Sequence, residues 1–367
     1  MSSDGQPQLE LGILNFDSYS PKSGIGRVLF SLLGHWDERV KHHPADFVAL
    51  PLPLLRNFPV ATNAKGAEVI LLPQLTGAEA LARTDGVPSL AIVHDVGIAD
   101  FPADSTGRNW LSERKVMRSF YGLKHATHLV CVSNFCRERL IHYLPEVAER
   151  TTVIPNGVDV QFIQADRSDE ARARAKTDLE AQLNSKLDGP ILVYVGSEIA
   201  RKNINLLLES LASLKDDYPN ITLLKVGRAG GAQWRAQTLE QLGHHQLTLG
   251  QDVHILEDID DSVLMNAYLA ADVFTTPSLY EGFGLPALEA MALGTPVVVT
   301  NCGALPEVVG EAGWVVEPHK NTFVEATHDT LERGRDHFAE AMRARVLQFQ
   351  WQDIADRYLE LLMSLRA

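Results

Sequence analysis

The amino-acid sequence predicts an α/β protein made of two similar halves. Short apolar runs such as 191–195 alternate with helix-like segments, and glycine loops stand at many of the junctions. Strands and helices that alternate in this way form parallel sheets. The alternation stops at 164–187, a polar and charged stretch that predicts a linker and a surface helix, and then starts again. We therefore expect one domain over residues 1–165, a second over 166–345, and an amphipathic C-terminal helix within 346–367.

The composition is typical of soluble globular proteins. Of the 367 residues, 45% are hydrophobic and 22% are charged, and no apolar run approaches the ~20 residues of a membrane span. The polar start MSSDGQPQLE lacks the pattern of a signal peptide, and three cysteines do not suggest a disulfide framework. These features predict a reduced, cytoplasmic setting. The formal net charge of -14 argues against binding to nucleic acid in bulk.

The stretch Ser278–Glu289, SLYEGFGLPALE, carries the most chemistry. A strand-like run precedes it and Pro286 suits a first helical turn, so Glu281 lies on a loop at a strand's carboxyl end and Glu289 inside the next helix. Ligands bind at that edge of open α/β sheets, and the N–H groups of a helix start attract an anion. Carboxylates instead accept hydrogen bonds from hydroxyls. The combination predicts a ligand with phosphate and hydroxyls, such as a nucleotide sugar; the alternative is a strand–turn–helix with solvated glutamates.

Cations and glycines at other junctions suit the same ligand. Arg201 and Lys202 precede a helix in the loop GSEIARKN, where two cations favour a diphosphate, and a solvated surface pair is the alternative. Gly24 and Gly26 lie where an early helix begins, and glycine there lets backbone approach a ligand, although a plain tight turn explains them equally well. His94 and Asp95 end the run SLAIVHD, and a histidine at the carboxyl end of a strand points toward the ligand edge; a hydrogen-bonded structural histidine is the alternative.

These motifs resemble the signature of the retaining glycosyltransferases of family 4, which have the GT-B fold. The likeness extends over GIGR, VHD, VSNF, PNGVD, GS…RKN and EGFGLPALEAMA, and so covers nearly the whole chain. The resemblance implies two Rossmann-like domains that face each other across a cleft, with the acceptor in the first and the nucleotide-sugar donor in the second. It also implies that the C-terminal helix crosses back to the first domain. The GIGR loop looks like those of bacterial mannosyltransferases.

The resemblance assigns roles to individual residues. It implies that Glu289 binds the ribose hydroxyls, that Glu281 binds hydroxyls of the donor sugar, and that His94 contacts the transferred sugar. It implies that Arg201 and Lys202 neutralise the departing diphosphate. The catalytic residues that the resemblance implies are therefore His94, Glu281, Arg201 and Lys202. The further donor-binding positions that it implies are Gly24, Gly26, Gly196, Ser197, Gly282, Phe283, Gly284 and Leu285. Ser197 is a departure, because the family often has arginine directly after the glycine.

The implied reaction is transfer of a sugar to a hydroxyl of a saccharide or lipid-linked saccharide acceptor, with retention, an α linkage, no cofactor and no metal. GDP-mannose is favoured as the donor, because the two adjacent donors of guanine match one carboxylate, and Asp261 beside Ile259 could supply that carboxylate. The alternatives are a UDP-glucose or UDP-N-acetylglucosamine donor, a nucleotide-sugar epimerase, and a non-catalytic nucleotide-sugar-binding protein. No motif predicts the oligomeric state.

Two segments have competing interpretations. Asp258 and Asp260 form a D-x-D pattern, which binds manganese in another glycosyltransferase fold, but carboxylates at a helix start explain it better as capping. The basic segment 108–128 interleaves cations such as Arg108 and Arg118 with an apolar stripe. Such a helix suits peripheral contact with an anionic membrane surface. Because the rest of the chain is acidic, we favour a helix packed on the core with a solvated basic face.

Overall fold

The computed structural model describes residues 8–20, 24–49, 59–101 and 110–366. These residues form two compact units. The first contains the chain up to Gly157 together with the chain from Phe349 onward, and the second runs from Val158 to Gln348. Phe162 packs its ring against Tyr268, with centroids 6.4 Å apart, which explains why the segment after Gly157 belongs to the second unit.

The first unit is built on a seven-stranded sheet. Its strands are β1 Leu9–Leu14, β2 Val40–Ala49, β3 Pro59–Asn63, β4 Val69–Leu72, β5 Ser89–Val93, β6 His128–Cys131 and β7 Thr151–Val153. Their order is β3-β2-β1-β4-β5-β6-β7, and every neighbouring pair is parallel except the antiparallel β2 and β3. The described helices between them are α1 Gly24–Trp36, α2 Gly97–Asp100, α3 Trp110–Gly122 and α4 Asn134–Tyr143.

The second unit has a six-stranded, wholly parallel sheet. Its strands are β8 Ile191–Val195, β9 Thr222–Val226, β10 Val253–Leu256, β11 Val273–Thr276, β12 Val297–Thr300 and β13 Trp314–Val316. Its helices are α5 Val160–Ile163, α6 Asp169–Leu183, α7 Ile204–Leu214, α8 Ala232–His244, α9 Asp261–Ala270, α10 Leu285–Ala292, α11 Leu305–Val309, α12 Lys320–Arg333 and α13 Ala339–Val346. The strand order is β10-β9-β8-β11-β12-β13.

Buried apolar side chains explain why these segments become central strands and covering helices. The central strands β4, β5, β8 and β11 are buried along almost their whole length, as expected for parallel strands covered on both faces. In the first unit, Val93 and Phe120 belong to one core cluster. In the second, Leu192, Leu207 and Phe323 join a strand to the helices α7 and α12.

Both sheets reverse their strand order at one internal point. Each begins with the order third, second, first, fourth, fifth, sixth, and the first sheet adds a seventh strand at the end, so the reversal falls between β1 and β4 in one unit and between β8 and β11 in the other. Chain segments that follow the two strands at such a point leave in opposite directions, which opens a crevice at the carboxyl edge. This order is that of a Rossmann fold, so the prediction of an α/β protein with two Rossmann-like domains is confirmed.

The last helix, α14 Trp351–Leu365, belongs to the first unit as the family resemblance implies. Trp36 is buried at the end of α1, and its Nε1–H donates to the carbonyl oxygen of Ala355 at 2.9 Å. Arg39 also forms an ion pair with Asp356 at 2.9 Å. The amphipathic face of α14 therefore completes the core of the first unit, although its residues are the last in the chain.

Candidate functional site

Two cations and a carboxylate meet at the reversal point of the second sheet. Arg201 and Lys202 end a short 3-10 turn in the loop after β8, and Glu281 lies in the loop after β11. Lys202 Nζ lies 2.5 Å from Glu281 Oε1, and Arg201 Nη1 lies 3.9 Å from Oε2. Lys202 and Glu281 are 79 positions apart in the sequence. The parallel pairing of β8 with β11 is what brings them together.

Backbone contacts fix these loops to one another. Arg201 Nη1 donates to the carbonyl oxygen of Tyr280 at 2.9 Å, and the N–H of Leu279 donates to the carbonyl oxygen of Arg201 at 2.8 Å. The carbonyl oxygen of Glu281 accepts from the N–H of Ala304, in the loop after β12, at 2.9 Å. Glu281 is therefore held by the loops that follow three different strands.

Glu281 is mostly buried, yet it is ionised at neutral pH. Burial by itself would raise the pKa of Glu281, but the charges of Lys202 and Arg201 outweigh burial and hold that pKa below its ordinary value. The stabilisation from this cluster is therefore present above the ordinary pKa of a glutamate and is lost as the pH falls through the lowered, folded-state value. An ionised carboxylate only accepts hydrogen bonds, so a ligand must offer it a donor such as a hydroxyl.

The turn after Glu281 brings a helix N-terminus to the same place. Gly284 has a φ of 111°, in the region that favours glycine, and α10 then begins at Leu285 with a proline in its first turn. Phe283 is buried and anchors the turn. The sequence predicts this arrangement at Gly282–Leu285, and it gives the start of α10 the position of an anion site beside Glu281.

Glu289 is buried in the second turn of α10. The hydroxyl of Tyr268, a buried residue of α9, donates to Glu289 Oε2 at 2.8 Å. The sequence analysis missed Tyr268, because it stands in an apolar helical stripe where an aromatic residue normally fills the core. The contact orients the Glu289 carboxylate within the helix that also presents the anion site.

Gly196 and Ser197 start the loop that carries the two cations. A side-chain carbon at Gly196 would lie 2.6 Å from the hydroxyl oxygen of Tyr194, so only glycine fits there. That hydroxyl donates to the carbonyl oxygen of Ser197 at 2.8 Å. The serine therefore has a fixed backbone although it replaces the arginine that is common in the resembling family.

The segment that the sequence analysis assigns to the nucleotide base of the donor follows β10. Ile259 is half-buried, and Asp261 is exposed at the first position of α9. Asp260 Oδ1 accepts a backbone N–H of the first turn at 3.0 Å, so it caps α9, and Asp258 forms an ion pair with an exposed arginine. The capping interpretation of the D-x-D pattern is confirmed for Asp260 but not for Asp258. The residues that the structure describes contain no group of three His, Cys, Asp or Glu placed to hold a metal ion.

Gly24, Gly26 and His94 belong to the first unit. The two glycines open α1, where Gly24 is exposed and Gly26 is buried. His94 follows β5, and its Nε2 lies 2.9 Å from the carbonyl oxygen of Pro73. Burial lowers the pKa of His94, although the Pro73 carbonyl and Asp95 act in the opposite direction. The ring is therefore neutral at pH 7 and donates from Nε2, so Nδ1 is its acceptor.

The basic segment 108–128 begins outside the described residues, at Arg108. Its helix α3 contributes the buried Phe120 to the core, while Arg118 and Tyr121 are exposed. This is the solvated basic face that the sequence favours, and contact with a membrane surface stays a prediction. None of the helices in the described part of the chain combines the length and apolar character needed to cross a bilayer.

Gly303 offers a test of how tightly the site is packed. It has a φ of 64°, and a side-chain carbon there would lie 2.5 Å from the backbone nitrogen of Glu281. We expect Gly303→Ala to push Glu281 away from Lys202 and to weaken nucleotide-sugar binding about tenfold or more. Isothermal titration with GDP- and UDP-sugars would measure the affinity.

Gly334 supplies the matched control. Its φ is 70°, but a side-chain carbon would meet no described heavy atom within 4 Å. Because its ψ is 174°, Gly334→Ala carries a positive-φ backbone strain of about 1–3 kcal/mol without the clash. An affinity loss that is equal in both variants would show that Gly303 does not hold Glu281 in place.

The geometry agrees with comparisons to known proteins. The family model "Glycosyltransferase Family 4" matches residues 23–162, and "Glycosyl transferases group 1" matches residues 175–345. O-antigen chain mannosyltransferase B of Escherichia coli is 32% identical over 239 residues, which are 63% of this chain and 59% of that protein. D-inositol 3-phosphate glycosyltransferase of Corynebacterium urealyticum is 30% identical over 224 residues, which are 59% of this chain and 51% of that protein.

The chain thus matches little more than half the length of these relatives. Among solved structures, Anabaena Alr3699/HepE in complex with UDP-glucose superposes with a TM-score of 0.74 and 19% identity, over 97% of this chain and 100% of that one, which shows a shared fold. The two family models together span most of the sequence and include every strand of both sheets except β1. The chain belongs to glycosyltransferase family 4.

Proposed function

We propose that the protein transfers a sugar from a nucleotide-diphosphate donor, GDP-mannose in preference, to a hydroxyl of a saccharide or lipid-linked saccharide. The observation that carries this proposal is the ionised Glu281 between Lys202 and Arg201 at the reversal point of the second sheet. Glu281 accepts hydrogen bonds from hydroxyls of the donor sugar, and the two cations face its diphosphate.

The two cations suit the stabilisation of the leaving group. The bond between the sugar's anomeric carbon and the β-phosphate oxygen breaks, and its electron pair leaves with the diphosphate. An ammonium has three donors, so Lys202 can hold Glu281 and a phosphate oxygen at once. The guanidinium of Arg201 adds a second charge, which we propose replaces the arginine absent at Ser197. With the start of α10, these groups neutralise the diphosphate without a metal.

We propose that the new bond keeps the configuration of the donor, which gives an α linkage. The acceptor hydroxyl attacks on the face that the diphosphate leaves, and its proton passes to the departing phosphate oxygen. His94 contacts the transferred sugar in this proposal, as the family resemblance implies. Its neutral ring, with Nε2 already donating to Pro73, offers an acceptor to a sugar hydroxyl.

The donor base remains the finer part of the proposal. Asp261 is exposed at the start of α9, where its carboxylate suits the two adjacent donors of guanine and repels the carbonyls of uracil. The similarity to a mannosyltransferase supports GDP-mannose. A UDP-sugar is the alternative, since the similar Anabaena structure holds UDP-glucose. An epimerase and a non-catalytic binding protein are further alternatives, and both predict no transfer to an acceptor.

A transfer assay tests the reaction. GDP-mannose is incubated with saccharide, lipid-linked saccharide and inositol-phosphate acceptors in excess chelator, and proton NMR follows the anomeric coupling of the first product. We expect an α product whose rate is largely unchanged by the chelator. A β product would contradict retention, activity only with added manganese would contradict metal independence, and donor conversion without an acceptor would identify an epimerase.

The two glutamates should separate turnover from nucleotide binding. We expect Glu281→Ala to lower turnover far more than affinity for the free nucleotide, because its partner is the sugar. We expect Glu289→Ala to weaken nucleotide binding by about 1.5–3 kcal/mol, or one to two decades, because its partner is ribose. Steady-state kinetics and calorimetry would measure both. Near wild-type turnover of Glu281→Ala would contradict the role of this carboxylate.

Thermal-shift titration decides between the two bases. Stabilisation grows with the ratio of ligand concentration to its dissociation constant, so GDP should raise the midpoint of unfolding at lower concentrations than UDP. Asp261→Asn should narrow the difference between the stabilisation by GDP and that by UDP, because an amide does not favour the two adjacent donors of guanine as a carboxylate does. Stabilisation by UDP where GDP has no effect would transfer the proposal to a glucosyl or N-acetylglucosaminyl donor.

A further inference from the structure

A buried ion cluster lies behind the loop that carries Arg201 and Lys202. Glu198 follows β8, and its side chain is 0% exposed; Lys225 on β9 is 2% exposed. Lys225 Nζ lies 2.8 Å from Glu198 Oε1. Arg235, from α8, donates through Nη2 to Oε1 at 2.6 Å and through Nε to Oε2 at 3.0 Å. Lysine and glutamate are almost never buried to this extent unless they are paired.

The cluster joins three strand ends at the carboxyl edge. Lys225 also donates to the carbonyl oxygen of Gly227, and Arg235 Nη2 also lies 2.9 Å from Glu257 Oε1, just after β10. The N–H of Glu198 donates to the carbonyl oxygen of Ala229 at 2.9 Å. The loops after β8, β9 and β10 are thus tied to one carboxylate.

Such a cluster is a poor device for stability alone. Removing three charged groups from water is costly, and well-packed apolar side chains of similar volume often give a fold that is equally stable or more stable. The charges instead fix the geometry. The guanidinium of Arg235 donates to both carboxylate oxygens of Glu198, so the carboxylate is held in one orientation. Burial by itself would raise the pKa of Glu198, but Arg235 and Lys225 hold it below its ordinary value, so the carboxylate stays ionised.

The backbone between Glu198 and Lys202 couples the position of Glu198 to that of Lys202. The N–H of Lys202 donates to the carbonyl oxygen of Ile199 at 2.8 Å, and the N–H of Asn203 donates to that of Ala200 at 3.0 Å, so the segment is one tight turn. A shift of Glu198 would therefore move Lys202.

Building on the proposed function, we propose that Glu198, Lys225 and Arg235 are positioning residues that hold the Arg201–Lys202 turn against the diphosphate of the donor. Glu198 and Lys225 are too deeply buried to touch a ligand. Their effect passes through the turn, so it should appear in recognition of the β-phosphate and in turnover rather than in recognition of the base.

The test compares each nucleoside diphosphate with its monophosphate. Wild type, Arg235→Gln and Glu198→Gln are titrated by calorimetry with GDP, GMP, UDP and UMP at a temperature where each is folded, and kcat and KM are measured for the donor. We expect the ratio of diphosphate affinity to monophosphate affinity to fall about tenfold in both variants, while the monophosphate affinity itself changes little. We also expect kcat to fall in both. Arg235→Lys keeps the positive charge but not the bidentate hydrogen bonds of the guanidinium, so it should retain part of the affinity ratio and of kcat that Arg235→Gln loses.

Lys215 provides a control of the same chemistry at the opposite edge. It pairs with the buried Asp252, which precedes β10, and the side chains of Lys215 and Arg235 are 26% and 25% exposed. We expect Lys215→Gln and Arg235→Gln both to lower the midpoint of thermal unfolding, but only Arg235→Gln to change the ratio of diphosphate to monophosphate affinity.

The outcomes separate the two proposals. An unchanged diphosphate advantage in folded Arg235→Gln overturns the positioning role. A loss in Arg235→Gln but not in folded Glu198→Gln also overturns it, since Arg235 would then touch the ligand itself. If Glu198→Gln does not fold, Glu198→Leu combined with Lys225→Met, which removes both charges, takes its place. A wild-type protein that binds none of the four nucleotides contradicts the proposed function instead.

Discussion

The ion pair between Lys202 and Glu281 is the interaction on which the candidate site depends. It joins the loops that leave β8 and β11, the two strands between which the order of the sheet reverses. Together with Arg201, Lys202 holds the pKa of Glu281 below its ordinary value against the effect of burial, so the carboxylate only accepts hydrogen bonds. Without Glu281, Lys202 would lose the partner that fixes the position of its ammonium. The pair therefore sets the charge of Glu281 and the position of Lys202.

Most of the fold could be predicted from the sequence, because hydrophobic periodicity and the glycine and proline residues at the ends of strands and helices are local signals. The strand at Ile191–Val195 and the helix at Ile204–Leu214 agree with the predicted segments, and the start of α10 agrees to one residue with the predicted proline turn. The strand order of each sheet could not be predicted from the pattern, since alternation of strands and helices indicates parallel sheets but does not fix the reversal point.

The parts of the site that sequence reasoning missed are contacts between distant segments. Tyr268 reaches Glu289 from the neighbouring helix, and Lys225 reaches Glu198 from the neighbouring strand. Their residue types offered weak signals. Tyr268 looked like core, whereas a lysine in the apolar strand run TLLKV, here Lys225, was an anomaly that could have prompted a search for a buried carboxylate. For His94, both interpretations stay compatible with the contact to Pro73, because a structural hydrogen bond at Nε2 also defines Nδ1 as an acceptor.

Under the proposed function, the charges of the site would favour a nucleotide sugar over a bare nucleoside diphosphate. The chain has a formal net charge of -14, so its overall field repels an anion, and at physiological salt exposed charges are screened beyond about 8 Å. Attraction must therefore come from Arg201, Lys202 and the start of α10, at short range. Glu281 cancels part of that attraction, because its carboxylate repels a phosphate placed against Lys202. A sugar attached to the β-phosphate removes this penalty, since its hydroxyls donate to Glu281 while the phosphate keeps the cations. In the proposed reaction, the diphosphate that remains after transfer lies beside a Glu281 carboxylate that no longer accepts hydrogen bonds from the sugar, so the residue that recruits the donor would also favour release of the product.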